Sequence, residues 1–242
     1  MMLADLLCEL GVAPEAFSST SGVLRALGSL PTEAGVTPVH ILGITDRTAL
    51  GLEQALLLSD HILEIVAGGD ELPLVLLLDC GSQRMSRRDE LLGLNEYLTH
   101  LAKSLLLAQR AGHRTLGVLY GHAAAGAFIA TGLAVSRLVA LPGAQPEVMG
   151  LRAMARVTKL PLELLEAKSK TTPVFAPGLA NLSRTGAVYA TLDPANPLAP
   201  VLGALLTEPG AVDERDRWGA ERGGRPKAAD IAARILASLR DV

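Results

Sequence analysis

Two short stretches combine residue types suited to stabilising negative charge with backbone groups. They are Leu78-Asp79-Cys80-Gly81-Ser82 and Tyr120-Gly121-His122-Ala123-Ala124-Ala125-Gly126. Each follows an apolar run of strand length. At the carboxyl ends of parallel strands, loops of this kind bind ligands. The second stretch leads into a predicted helix, whose first N–H groups lack internal acceptors and whose dipole favours an anion. Alanine and glycine let a ligand approach that backbone. A developing oxyanion needs two aimed N–H donors and no side chain. Close helix–sheet packing selects the same small residues, so spacing alone leaves both readings open.

His122 is the one side chain in the second stretch with acid–base capacity near neutral pH. It can pass a proton, or it can hold the loop's own carbonyls. Other chemistry is excluded more firmly. Gly121 to Gly126 has P-loop spacing, but Ala127-Phe128 stands where Lys-Ser/Thr is required. A nucleophile elbow needs a serine between its glycines, and this loop offers alanines. His40, His61, His100 and His113 lack metal-site spacing and read as structural or solvent-facing. Cys80 reads as a small buried residue rather than a nucleophile. Arg84, Arg87 and Arg88 form a basic patch after the first stretch; a solvated surface is the default, and contact with phosphates is the functional alternative. Arg222 and Arg225 have the same two readings, with a partner subunit as a third.

The elements that must position these residues follow from periodicity. Leu3 to Leu10 predicts a short helix ended by Gly11 and Pro14. The Ser, Thr, Gly and Pro content of Ser18 to Gly35 predicts loop with one or two helical turns. Val39 to Ile44 reads as a strand and Thr48 to Val66 as a helix stopped by Gly68-Gly69. Leu72 to Leu78 is a continuous apolar run, which fits a strand buried on both faces. Glu90 to Ala111 predicts one long helix, Thr115 to Tyr120 a strand, Gly121 to Ala134 a helix and Arg137 to Leu141 a strand. This alternation implies a mostly parallel sheet. Residues 1–38 then form an N-terminal helix and loop, 39–146 the α/β core, and 147–242 a helical C-terminal part of the same single domain. Ala228 to Leu239 is amphipathic, with Ile231, Ile235, Leu236 and Leu239 on one face.

Composition narrows the class. The chain has 242 residues, 49% of them hydrophobic, with net charge -3. That suffices for a full core and gives no pull toward nucleic acid or an anionic membrane. The apolar run Ala123 to Val135 falls short of the roughly 20 residues a membrane helix needs. Met1 to Leu10 lacks the basic start of a signal peptide. Only Cys8 and Cys80 occur, which favours a reducing cytoplasm over a disulfide scaffold.

The two stretches resemble the oxyanion loops of the carboxyltransferase branch of the crotonase superfamily. There the alpha chain of acetyl-CoA carboxylase carries Asp-Thr-Pro-Gly and Gly-Glu-Gly-Gly-Ser-Gly-Gly. This chain has alanines for several of those glycines, and His122 where Glu would stand. From Val39 onward the chain resembles the gamma subunits of malonate decarboxylases. The matching stretches are Leu42-Gly43-Ile44-Thr45-Asp46, Asp79-Cys80-Gly81-Ser82-Gln83, Tyr120-Gly121-His122, Thr172-Pro173-Val174-Phe175-Ala176-Pro177-Gly178 and Ala220-Glu221-Arg222-Gly223-Gly224-Arg225.

The resemblance implies a crotonase-like α/β fold and a site at Gly81, Ser82, His122, Ala124, Ala125 and Gly126. It implies a homologous beta subunit, an acyl carrier protein and a transferase subunit as partners. The chain would bind no cofactor of its own. It would act on the dephospho-CoA-type thioester arm of the carrier, with Arg84, Arg87 and Arg88 placed to meet that arm's phosphates. Three alternatives stand beside this reading. One is a biotin-dependent carboxyltransferase half. Another is a hydratase or isomerase using Asp79, Asp89 or Glu90, and the third a scaffolding subunit that only completes its partner's site.

Overall fold

A computed structural model describes residues 2–13, 15–208 and 213–239. Helix α1 (Leu3–Glu9) lies where periodicity places it, and Pro14, expected to end it, lies outside the described residues. Strands β1 (Phe17–Thr20), β2 (Val23–Thr32) and β3 (Gly35–Leu50) follow. They replace the loop expected over 18–35. Polar residues masked a period of two: Leu24, Ala26, Gly28 and Leu30 are buried, while Arg25, Leu27 and Ser29 face outward or lie half-buried. Ser21 and Gly22 take φ of 53° and 80°, which a tight hairpin turn with the right twist requires.

Helix α2 (Leu52–Gly68) ends at Gly69, and β4 (Leu74–Gln83) runs past its expected end at Leu78. The single helix expected over 90–111 is two, α3 (Arg87–Leu91) and α4 (Leu94–Arg110), separated where Gly93 takes φ 82°. Strand β5 (Thr115–Leu119) is as expected. The helix expected over 121–134 is instead β6 (His122–Ala124) followed by the short helix α5 (Ala125–Ala130). After β7 (Arg137–Ala140) comes β8 (Gln145–Glu147), which pairs in parallel with β6 and holds it extended. This long-range pairing outweighs the local helical preference of the alanines. The rest is mainly helical: α6 (Leu151–Thr158), α7 (Leu162–Ser169), α8 (Leu179–Arg184), β9 (Ala190–Thr191), α9 (Leu198–Thr207), α10 (Arg215–Glu221) and α11 (Ala228–Ser238).

The main sheet has the order β1-β2-β3-β4-β5-β7-β9. The β1–β2 and β2–β3 pairs are antiparallel, and every later pair is parallel. The mostly parallel sheet is therefore present, with an antiparallel hairpin added at one side. Strand β4 lies in its middle and is buried on both faces. Leu74, Leu76, Leu78 and Cys80 join the core under α2, α4 and α5. Val75 and Leu77 join a second core with α1, α9 and β2. Because both faces are packed, the sheet fixes where the carboxyl ends of β3, β4 and β5 lie.

Leu76→Ala and Leu77→Ala, on opposite faces, should each cost about 2–5 kcal/mol in urea unfolding. A near-zero cost for either would contradict a sheet covered on both sides.

Candidate functional site

The two stretches singled out from the sequence meet. The first is not a free loop: Cys80 pairs with Thr48 and Gln83 with Leu50, so Gly81 and Ser82 sit on the end of β4. Register is regained there after a bulge in β3, where Asp46 and Arg47 take φ of 59° and 51°. A Cβ at Gly81 would come within 3.1 Å of the Arg47 carbonyl oxygen. The second stretch is clamped to the first at two points. The His122 N–H donates to Asp79 Oδ1 at 2.8 Å, and the Gly126 N–H donates to Gln83 Oε1 at 2.7 Å.

Gly121 is the condition for the first clamp. A Cβ there would stand 2.2 Å from Asp79 Oδ1 and 2.3 Å from its Cγ. Ala125, at the start of α5, is left-handed with φ 52°, a conformation costing a non-glycine residue roughly 1–2 kcal/mol. Asp46, Arg47 and Ala125 thus place backbone strain at one end of the sheet, and strain of this kind gathers where geometry serves a site.

His122 is braced. Its Nδ1 lies 3.1 Å from the Cys80 carbonyl oxygen. A carbonyl only accepts, so this contact places a ring hydrogen on Nδ1. The Ala124 N–H approaches the Cys80 thiol, and burial pushes that thiol up to about 12. Cys80 therefore stays protonated near neutrality and is no nucleophile. Burial, and then the charge of Asp79, raises the Tyr120 phenol above its ordinary range, so it remains a neutral hydroxyl. Gly126 faces packing rather than open space: a Cβ there would lie 3.1 Å from both Gln83 Oε1 and Leu98 Cδ1. Ser82 turns its hydroxyl to the Gln83 carbonyl oxygen at 2.9 Å.

The basic patch divides. Arg84 donates to Glu53 at 3.0 Å and to Gln54 at 2.7 Å. Arg88 donates to Glu53 at 2.5 Å. Between them lies Asp89, 1% exposed, with an Oδ2 that accepts no hydrogen bond among the described residues. Arg87 is exposed and makes no ion pair among the described residues. Of the other carboxylates weighed, Asp79 serves the His122 N–H and Glu90 faces solvent.

Arg222 is spent on the fold: it donates to the carbonyls of Ser183, Val188 and Tyr189 and lies over the Trp218 ring. Gly224 allows the approach, since a Cβ there would meet the Arg184 carbonyl oxygen at 2.1 Å. The other histidines are placed elsewhere. His40 bonds Asp70, His113 bonds the Leu72 carbonyl from the turn before β5, His61 lies beside Arg25, and His100 is exposed.

Sequence reasoning weighed Asp79 only as a catalytic carboxylate, and missed its hold on the His122 N–H, the role of Gln83 and the Asp46–Arg47 bulge. Continued strand periodicity from Leu78 to Gln83 was the available signal for the first two. Gly121→Ala should lower stability by about 1–3 kcal/mol through overpacking, and should cost far less in an Asp79→Ala background. Equal costs in both backgrounds, measured by chemical denaturation, would contradict the clamp.

Comparison with known proteins gives the geometry its family. Residues 45–239 match the family described as malonate decarboxylase gamma subunit. The chain is 33% identical over 114 residues to the malonyl-S-ACP:biotin-protein carboxyltransferase MADD of Malonomonas rubra, a match spanning 46% of this chain and only 39% of that relative's length. It is similar to a chain of a Pseudomonas malonate decarboxylase hetero-tetramer in complex with coenzyme A, at 26% identity and TM-score 0.74, over 98% of this chain and 97% of that one. Transcarboxylase 12S, at 16% identity and TM-score 0.64 over 82% of this chain and 40% of that one, shares the fold alone. The fold is the crotonase-like carboxyltransferase fold, and the chain belongs to the malonate decarboxylase gamma subunit family.

Proposed function

We propose that the chain acts as the gamma subunit of a biotin-independent malonate decarboxylase. With a homologous beta subunit, it decarboxylates malonate held as a thioester on an acyl carrier protein. The observation that carries this reading is the double clamp of Asp79 and Gln83 on the second stretch, in a chain of this family. It fixes the backbone at the start of α5 before any ligand arrives, as electrostatic preorganisation requires.

In the reaction the bond between the α-carbon and the carboxylate breaks. CO₂ leaves, and the electron pair passes into the thioester carbonyl as an enolate. A proton then adds to the carbon to give the acetyl thioester. The N–H groups of His122, Ala124 and Gly126 are engaged by Asp79, Cys80 and Gln83. We assign the enolate oxygen to Ala125, with Gly81 and Ser82 from β4. An aimed donor of this kind is worth on the order of 3 kcal/mol. Arg87 is the cation of the basic patch left to meet the phosphates of a dephospho-CoA-type arm. The coenzyme A bound by the Pseudomonas hetero-tetramer supports an arm of that chemistry.

The helical C-terminal part supports a partner. Helices α6 and α11 bury none of their residues. On α11, Ile231, Ile235 and Leu236 are all at least half exposed, as is Leu239 at its C-terminal cap. Short helices draw their stability from packing an apolar face, so these need a cover. We assign it to the other subunits: the beta subunit first, with the carrier and transferase subunits completing the assembly. The free cysteines Cys8 and Cys80 favour a cytoplasmic setting. Among the described residues no helix is long and apolar enough to cross a membrane.

A second reading is favoured by the name of the Malonomonas relative: passage of the carboxyl group to biotin. Reconstitution separates the two. The chain with its beta and carrier subunits should release CO₂ and form acetyl thioester without biotin; a requirement for a biotinylated protein would establish the carboxyltransferase. The chain alone should be inactive and self-associating, and an active monomer would contradict the shared site. In the assembled complex His122→Ala should slow turnover about fivefold, the worth of one lost hydrogen bond. His122→Gln should keep most of it. Losses of about 100-fold or more in both would instead make His122 the proton donor.

A further inference from the structure

The Gln83 amide is used at one end only. Its Oε1 accepts the Gly126 N–H at 2.7 Å. A backbone N–H can only donate, so this contact fixes which end of the amide is oxygen. The NH₂ at the other end donates to no described residue and is not among the buried polar atoms left unsatisfied. Gln83 is half-buried. A donor is thus held in place by its own oxygen, beside the first turn of α5. Its neighbours are committed: the Ser82 hydroxyl to the Gln83 carbonyl, and Arg84 to Glu53 and Gln54.

We propose that Gln83 contacts the substrate. Its Oε1 sets the entry of α5, and its Nε2 donates a hydrogen bond to a carboxylate or carbonyl oxygen of the malonyl thioester. This rests on the function proposed above. A neutral amide suits the task. A cation on the departing carboxylate would stabilise the ground state that the reaction must leave, and only interactions stronger in the transition state speed it. An amide orients that oxygen without fixing its charge.

The test is turnover by the assembled complex, using malonyl thioester on its own carrier protein, with Gln83→Glu and Gln83→Ala. The introduced carboxylate still accepts the Gly126 N–H but has no hydrogen to donate. Gln83→Glu should therefore lower kcat/KM roughly 10- to 100-fold, the range for a hydrogen bond to a charged group. Activity should return as pH falls and the carboxyl regains an O–H, a trend the wild type lacks. A raised KM with unchanged kcat would place the donor on the carboxylate. An equal fall in kcat and kcat/KM would place it on the enolate oxygen. If Gln83 only braces α5, Gln83→Glu will match the wild type in rate and pH profile while Gln83→Ala alone is impaired, which overturns the proposal. Failure of Gln83→Glu to assemble would make Gln83 a packing residue and overturn it too. An inert wild-type complex would defeat the decarboxylase reading itself, and this inference with it.

Discussion

The hydrogen bond from the His122 N–H to Asp79 governs the rest of this end of the molecule. It forms only because position 121 has no Cβ. Once it holds, His122 to Ala124 run extended and pair with β8 instead of coiling into the helix that follows. The chain must then turn sharply into α5, and Ala125 takes the strained left-handed conformation at that corner. Gln83 completes the arrangement by accepting the Gly126 N–H. The catalytic proposal depends on this chain of constraints. A backbone donor is useful for stabilising an oxyanion only if it cannot relax, and the strain at Ala125 is maintained by bonds on both sides of it.

The second constraint is the burial of β4 on both faces. Leu74 to Leu78 alternate between two cores, so the strand cannot slip without exposing one set of side chains. That anchoring sets the position of Asp79 and Gln83 relative to β5 and β6. The ion pairs of Glu53 with Arg84 and Arg88 secure the turn beyond it. They account for two arginines that the sequence offered as phosphate contacts. The buried Asp89 lies within ion-pair distance of both, at 3.7 Å from Arg84 and 3.4 Å from Arg88.

Much of this was legible before the structure. The apolar runs Leu72–Leu78 and Thr115–Tyr120 announced buried strands, and the paired small-residue stretches are two segments that the fold brings together. Less visible were features set by distant partners. The β1–β2 hairpin hid behind Ser and Thr, whose loop preference was overruled by an alternating buried face. Strand β6 depends on β8, more than twenty residues away, and no local propensity reports that. Gln83 read as one more polar residue, because its role comes from a hydrogen bond to Gly126, beyond two intervening helices and two strands. The motif Ala220 to Arg225 was legible as a motif but not in purpose; Arg222 ties three carbonyls together inside the fold.

The exposed apolar face of α11 and the unburied α6 leave the isolated chain with surface that a complex would cover. The central claim is that the junction of β4, β6 and α5 meets the substrate. The most direct test is a structure of the assembled complex with a malonyl thioester analogue that cannot lose CO₂. The account predicts an analogue oxygen within hydrogen-bond distance of the Ala125 N–H or Gln83 Nε2. An analogue bound wholly by the partner's residues, with this junction empty, would contradict it.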